Sequence, residues 1–378
     1  MMQVQSFLRT QVHVNRRTPE EALEQLTERL GIKCKLYEDR VVLNYNQIES
    51  PKTDPIVMEC RGLILAYPSF EVMARGYDRF FNHGEAPEFT EQVDFSRSVV
   101  YEKADGSYIN VYYDGDKWCI ATRGTAFAEC ENYSGRIFID MVLEAFGVED
   151  IDKAFMQGLP IREELTFIFE FTSPENRVVT RYVEPEMVLT GVRNKLTGDY
   201  IHNSKVSLAS ILPVECRQVK TFDISTSEAA LQAARELTDL QEGYVVFDPV
   251  SQQRVKIKSP TYVAVHHIRG EGLTPKRMAH LVSCGEVDEY LNYFPEDKAQ
   301  LEPYIEAYTT MLALADCTYA LFKGIEVQKD FALKVKDMVQ SPIMFLAKAK
   351  DSTPSHEFNL QKDTMKVKML LKYMGEQL

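Results

Sequence analysis

The sequence predicts an α+β protein in two parts: antiparallel sheets with flanking helices through residue 258, then an all-helical stretch over 259–378. Strand-like alternation of apolar and polar residues, punctuated by Asp-Gly and proline-containing turns, recurs from Cys34 to Lys258. After Ser259-Pro260 the alternation fades, and apolar residues recur at helical spacing through Leu301 to Phe322, Phe331 to Met338 and Met365 to Met374. A length of 378 residues exceeds one typical domain, so two domains, 1–258 and 259–378, are expected.

Composition narrows the function classes. A hydrophobic content of 45% is enough for a substantial core and argues against disorder. The net charge of −13 argues against a broadly basic, nucleic-acid-coating surface, so any nucleic acid must be gripped in one local groove. Seven scattered cysteines with no Cys-x-x-Cys pair point to free thiols and against a zinc site or a disulfide framework. The first thirty residues show no signal or transit pattern and no later run is long enough to span a membrane, so the expectation is a soluble, cytoplasmic protein, taken separately to be a monomer.

In order, Thr18-Pro19-Glu20-Glu21 supplies an N-cap, a first-turn proline and first-turn acids, and Gly31 stops the helix that follows. Cys34 to Tyr45 reads as a hairpin turning near Glu38-Asp39, with Tyr45 at a strand end. Val57 to Ala66 reads as a strand interrupted by Arg61-Gly62, and Glu71 to Asn82 as a second strand ending in Arg79-Phe80-Phe81-Asn82. An arginine inside an apolar strand costs desolvation unless an anion faces it, so Arg61 calls for a carboxylate or a bound phosphate. Val99 to Thr122 reads as a meander with two Asp-Gly turns, at Asp105-Gly106 and Asp114-Gly115, with Arg123-Gly124-Thr125 at its exit. Residues 136–158 carry helical spacing.

Leu165 to Phe171 is the most informative strand. Period-two alternation sends Leu165, Phe167, Phe169 and Phe171 to a packed face and Thr166, Ile168 and Glu170 to the other. Met187 to Val192 gives another strand and Ser227 to Leu240 another helix. Glu242 opens a strand running to Asp248, and Arg254 to Lys258 is its partner across the turn at Pro249-Val250. Alternation places Lys256 and Lys258 side by side. Two ammonium groups repel, so either a polyanion faces them or they protect a solvated edge. Pro354-Ser355 reads as a loop, and Lys362, Lys366, Lys368 and Lys372 as a solvated helix face that brushes a polyanion's backbone if one is present.

Lys103-Ala104-Asp105-Gly106 alone is compatible with an ordinary hairpin. Its companions in fixed order are Glu59-Cys60-Arg61-Gly62, Arg79-Phe80-Phe81-Asn82, Phe169-Glu170-Phe171 with Pro174 and Asn176-Arg177, Glu242-Gly243-Tyr244-Val245 and Lys256-Ile257-Lys258-Ser259. This set resembles the covalent lysine nucleotidyltransferases, and within them it is most similar to the phage ATP-dependent RNA ligase 1 family. The resemblance implies a nucleotidyltransferase domain over 1–258, and a helical domain of the kind thought to recognise tRNA. It implies ATP as AMP donor, Mg2+ or Mn2+, and RNA substrates with 5′-phosphate and 3′-hydroxyl ends, such as nicked tRNA. By resemblance, Lys103 is the nucleophile, with Glu170, Glu242, Lys256 and Lys258 as catalytic partners. Tyr45, Arg61, Arg79 and Phe81 contact the nucleotide, Glu242 and Asp288 serve the metal, and Tyr262 is a further position of interest. The family carries lysine where Arg79 stands, and guanidinium and ammonium are not interchangeable.

An isolated lysine is more than roughly 99% protonated at neutral pH. Lys256 and Lys258 are therefore expected to depress the pKa of Lys103. DNA ligases and GTP-using capping enzymes are competing readings, but these append a β-barrel where this chain looks helical. A non-catalytic RNA-end-binding protein is the third.

Overall fold

Thr18 caps the helix Pro19–Leu30 as its neighbours predict. The backbone N–H of Glu21 donates to the Thr18 hydroxyl at 3.2 Å, and the N–H of Thr18 donates back to the Glu21 carboxylate at 2.8 Å. Gly31 ends the helix in the left-handed conformation. The computed structural model describes residues 1–132, 135–156, 163–201, 212, 214–270 and 272–376, and the chain divides into two units, Met1–Ala264 and Val265–Leu378.

Three sheets organise the first unit. Ile32–Leu36, Arg40–Tyr45, Arg61–Ala66 and Val72–Ala74 form an antiparallel sheet in chain order. It buries Val41, Leu43, Leu63 and Leu65 against Leu8 and against Leu23 and Leu26 of Pro19–Leu30. The second sheet runs Tyr200–Ile201, Glu186–Asn194, Leu165–Thr172, Ser107–Tyr113, Trp118–Thr122, with Arg217–Gln218 pairing parallel to Glu186–Asn194. The third runs Thr221–Phe222, Val99–Glu102, Gly243–Phe247, Arg254–Lys258, Phe81–Asn82.

Each of the latter two sheets has one apolar and one functional face. Phe167, Phe169 and Phe171 pack on Met141, Val142 and Phe146 of the helix Phe138–Phe146, which leaves Thr166, Ile168 and Glu170 on the opposite side. Tyr244, Val246, Val255 and Ile257 pack on Ala230 and Ala234 of the helix Ser227–Arg235, which leaves Arg254, Lys256 and Lys258 on the other face.

Among its described residues the second unit is helical throughout, without a strand, from Pro275–Cys284 to Asp363–Met374. Phe331, Val335, Met344 and Ala347 pack with Tyr319 of the long helix Lys298–Phe322. None of the helices, among the described residues, is long and apolar enough to cross a membrane.

Four local expectations need correcting. Residues 57–59 belong to the short helix Pro55–Glu59, because Asp54 caps it by accepting from the N–H groups of Ile56 and Val57, and the strand begins only at Arg61. Glu71 to Asn82 is not one strand; Val72–Ala74 joins the first sheet and Phe81–Asn82 the third. The Asp105-Gly106 turn does not close a hairpin, since Val99–Glu102 and Ser107–Tyr113 lie in different sheets, whereas Asp114-Gly115 does close one. Pro354 opens the helix Pro354–Asn359 behind an N-capping Thr353, where a proline lacks only an N–H that the first turn never uses.

Candidate active site

Lys103 stands where the chain leaves the third sheet for the second. Its backbone N–H donates to the carbonyl of Gly243 at 2.9 Å, which extends the strand pairing of Glu102 with Tyr244 by one step. The turn beyond it is clamped by Asp105, which is 4% exposed. One carboxylate oxygen accepts from the N–H groups of Val179 and Thr180, both at 2.8 Å, and the other from the Tyr262 hydroxyl at 2.6 Å. Gly106 follows because a Cβ there would stand 2.2 Å from the Phe171 carbonyl oxygen. That close approach lets the Gly106 N–H donate to Glu170 at 3.2 Å.

The Lys103 ammonium donates to one oxygen of Glu242 at 2.6 Å, and Lys258 pairs with the other at 2.9 Å. Gly243 makes room for this: its φ is +140°, and a Cβ would stand 2.0 Å from the Ile257 carbonyl oxygen. Burial alone would raise the carboxyl pKa of Glu242, but the two ammonium groups outweigh it and the carboxyl is held below its ordinary range. Lys103 is the mirror case. Burial lowers its pKa, yet Glu242 and Glu170 more than offset this and the net direction is upward. The expectation that nearby lysines leave Lys103 a free amine is therefore not met in this arrangement, because its nearest charge is an anion.

Within this site, among the described residues, the depressed lysine is Lys256. Burial, then Arg61, Lys103 and Lys258, bring its pKa down to about 7. Glu170 meets it from the other side of neutrality, since burial outweighs the pull of Lys103 and pushes its carboxyl up to about 7. Both groups line a cavity together with Lys103, Lys258, Arg61 and Phe80. The walls come from the functional faces of the second and third sheets, with Tyr108, Glu170 and Thr190 on one side and Tyr101, Val245, Arg254, Lys256 and Lys258 on the other.

Arg61 lies between the rings of Phe80 and Tyr108, 5.1 and 5.0 Å from their centroids, and its Nη1 is buried without a hydrogen-bond partner. Arg79 repeats the pattern. It covers the Tyr45 ring at 4.3 Å and also buries an unpartnered Nη1, while Arg123 approaches the same ring at 5.1 Å. Burial, with Arg61 and Arg79 close by, lowers the Arg123 pKa. Buried guanidinium donors without an acceptor cost free energy that an entering anion would recover.

The structure thus brings Lys103, Glu170, Glu242, Lys256, Lys258 and Arg61 together, with Tyr45 and Arg79 in a neighbouring aromatic and guanidinium cluster. Phe81 is elsewhere. It is 4% exposed and stacks on Phe89 with centroids 5.5 Å apart, and Phe80 takes the cavity position. Asp288 lies in the first turn of the helix Val287–Tyr293, in the second unit. Sequence reading passed over Arg123 and Arg254. The signals were present: Arg123-Gly124 repeats the Arg61-Gly62 pattern at a strand exit, and Arg254 shares the alternation of Lys256 and Lys258.

A family model described as RNA ligase matches residues 59–262, more than half of the 378. A candidate bifunctional polynucleotide kinase/RNA ligase of Autographa californica nuclear polyhedrosis virus is 34% identical over 314 residues, covering 79% of this chain and 44% of that protein. An RNA ligase of Rhodothermus phage RM378 is 25% identical over 388 residues, covering 85% of this chain and 87% of the relative. The chain therefore spans less than half the length of the viral relative and most of the phage one. Among solved structures, an archaeal ATP-dependent RNA ligase aligns with a TM-score of 0.45 and 15% identity over 91% of this chain and 80% of its own.

Proposed function

This chain belongs to the RNA ligase family, and from that premise we propose that it joins the 5′-phosphate and 3′-hydroxyl ends of RNA at the cost of ATP, with Lys103 as the covalent carrier of AMP. The observation that carries the reading is the Lys103 ammonium at 2.6 Å from Glu242, in the wall of a cavity that Arg61, Lys256, Lys258 and Glu170 also line.

In the first step the Lys103 amine attacks the α-phosphorus of ATP, a P–N bond forms and pyrophosphate leaves. Lys103 must first give up its proton, and Glu170 and Lys256, both held near neutrality, can exchange one within the cavity. Lys258, Lys256 and Arg61 stabilise the charge that develops on the phosphates. Next, a 5′-phosphate oxygen of RNA displaces Lys103 from the AMP phosphorus. Finally the 3′-hydroxyl attacks that 5′-phosphate and AMP departs. A Mg2+ or Mn2+ ion fits this donor set modestly: such ions take one or two carboxylates and complete their shell with substrate phosphates. Glu170 faces the cavity with only the Gly106 N–H on one oxygen, whereas both oxygens of Glu242 are taken by ammonium groups. When bound, the ion would neutralise phosphate charge as pyrophosphate leaves.

The all-helical second unit supports RNA over DNA ligation or capping, which call for a β-barrel there. We assign that unit to RNA contact, with nicked tRNA as the substrate class to try first. ATP labelled on the α-phosphate should yield a labelled protein with the wild type and none with Lys103→Ala; a label that survives in the variant refutes the assignment. Chasing the labelled protein with 5′-phosphorylated RNA should release the label onto RNA. Release onto DNA alone, or loading from GTP in place of ATP, would move the protein to the competing enzyme classes.

A further inference from the structure

His280 and Cys284 stand four residues apart on the helix Pro275–Cys284, so both leave the same face. The helix Asp363–Met374 packs beside it and begins with Asp363. A ring nitrogen of His280, the Cys284 sulfur and a carboxylate oxygen of Asp363 lie within 4.8 Å of one another. Zinc bonds of about 2.0–2.3 Å to such donors place them roughly 3–4 Å apart, so modest side-chain rotation closes the set.

We propose that His280, Cys284 and Asp363 bind a borderline transition-metal ion, Zn2+ in the first instance, with water in the fourth position, and that the ion ties the two helices together. Thiolate with imidazole selects zinc-like ions over Mg2+ or Ca2+, so this site is separate from any ion that serves phosphoryl transfer. Glu286 stands 3.5 Å from Nδ1 of His280, where it can accept that N–H and leave Nε2 for the ion; Arg277, a donor only and 3.4 Å from the same nitrogen, must then turn to Glu286, which it already approaches at 3.6 Å. Lys366 lies 3.7 Å from Asp363 and must yield one carboxylate oxygen. The cysteine spacing argued against zinc because this ligand set mixes three residue types from two separate helices.

The test uses the full chain, stripped with chelator and held in excess Mg2+. Titration with Co2+ should produce a thiolate-to-cobalt charge-transfer band that saturates at one equivalent and is displaced by Zn2+. Cys284→Ser should abolish the band, and Asp363→Asn, at an exposed position, should weaken Zn2+ binding at least tenfold. Glu286→Gln should weaken it by about tenfold while the band remains. Zn2+ should raise the unfolding temperature of the wild type and not of Cys284→Ser. A band that persists in Cys284→Ser, the absence of a band at one equivalent, or unchanged affinity in Asp363→Asn overturns the proposal.

Discussion

Two ion pairs in the first unit, each with one buried partner, make a useful contrast. Arg193 and Asp78 face each other through two parallel hydrogen bonds of 2.8 Å, and two further guanidinium donors reach the carbonyls of Gly76 and Gly198 at 2.7 and 2.8 Å. Asp78 also pairs with Arg75 at 3.2 Å, so this carboxylate is shared by two cations, and the Arg75 Nε is buried without a partner. At Lys103, one carboxylate is shared by two ammonium groups, Glu170 and Lys256 are each driven toward neutrality, and Arg61 and Arg79 keep buried donors unpartnered. Burial is common to both regions. What separates them is where the charges stand: Arg61, Lys103, Glu170, Lys256 and Lys258 line the cavity, and Arg193 and Asp78 do not.

The contrast is sharpened most by Asp78→Ala. It leaves Arg193, whose side chain is 4% exposed, with only the carbonyls of Gly76 and Gly198 as acceptors, and should cost ~3 kcal/mol in urea unfolding, the low end for a buried pair because Asp78 itself is 30% exposed. A cost below about 1 kcal/mol would place the pair in the class of weak surface ion pairs and remove the distinction. Lys258→Ala should do the opposite. Its side chain is 29% exposed, so unfolding should change little, while lysine loading in single-turnover labelling falls ~100- to 1000-fold. Near-normal loading would take Lys258 out of the site.

Glu170→Gln probes the cavity through pH. The folded carboxyl titrates at about 7, above its ordinary value of 4.5, so between those values the folded chain holds a proton that the unfolded chain has lost. Stability therefore falls as pH rises through that window, and the loss is complete above it. The glutamine variant lacks this loss and should gain ~2–3 kcal/mol over wild type on going from about pH 5 to about pH 8. A difference that does not change with pH refutes the shift. The smallest effect is expected from Tyr262→Phe. Asp105 keeps its two backbone donors, so the lost hydroxyl should cost ~1–2 kcal/mol, read by thermal or urea unfolding.

Much of this was legible in the sequence where one strand's alternation decides. Glu170 opposite three phenylalanines, and Lys256 beside Lys258, follow from period two without knowledge of any neighbour. The errors came where the partner is remote. Asp-Gly has the same local chemistry whether it closes a hairpin or crosses between sheets, and only the pairing of Glu102 with Tyr244 decides. Phe81 was expected at the nucleotide, but Phe81–Asn82 pairs in parallel with Arg254–Lys258, with Phe81 turned inward onto Phe89 and Phe80 toward the cavity. Lys103 was expected to be neutralised by cations, because a strand's own residues do not show that Glu242 arrives between them.

Residue 103 is fastened at both ends to adjacent residues: its backbone N–H to Gly243 and its ammonium to Glu242. A carrier anchored this way is a workbench and not a swinging arm. If Lys103 takes up the adenylate, the passenger stays within one side chain's reach of the strand end. Both polynucleotide termini must then travel to it, which makes the order of their arrival a property of the surface that admits them.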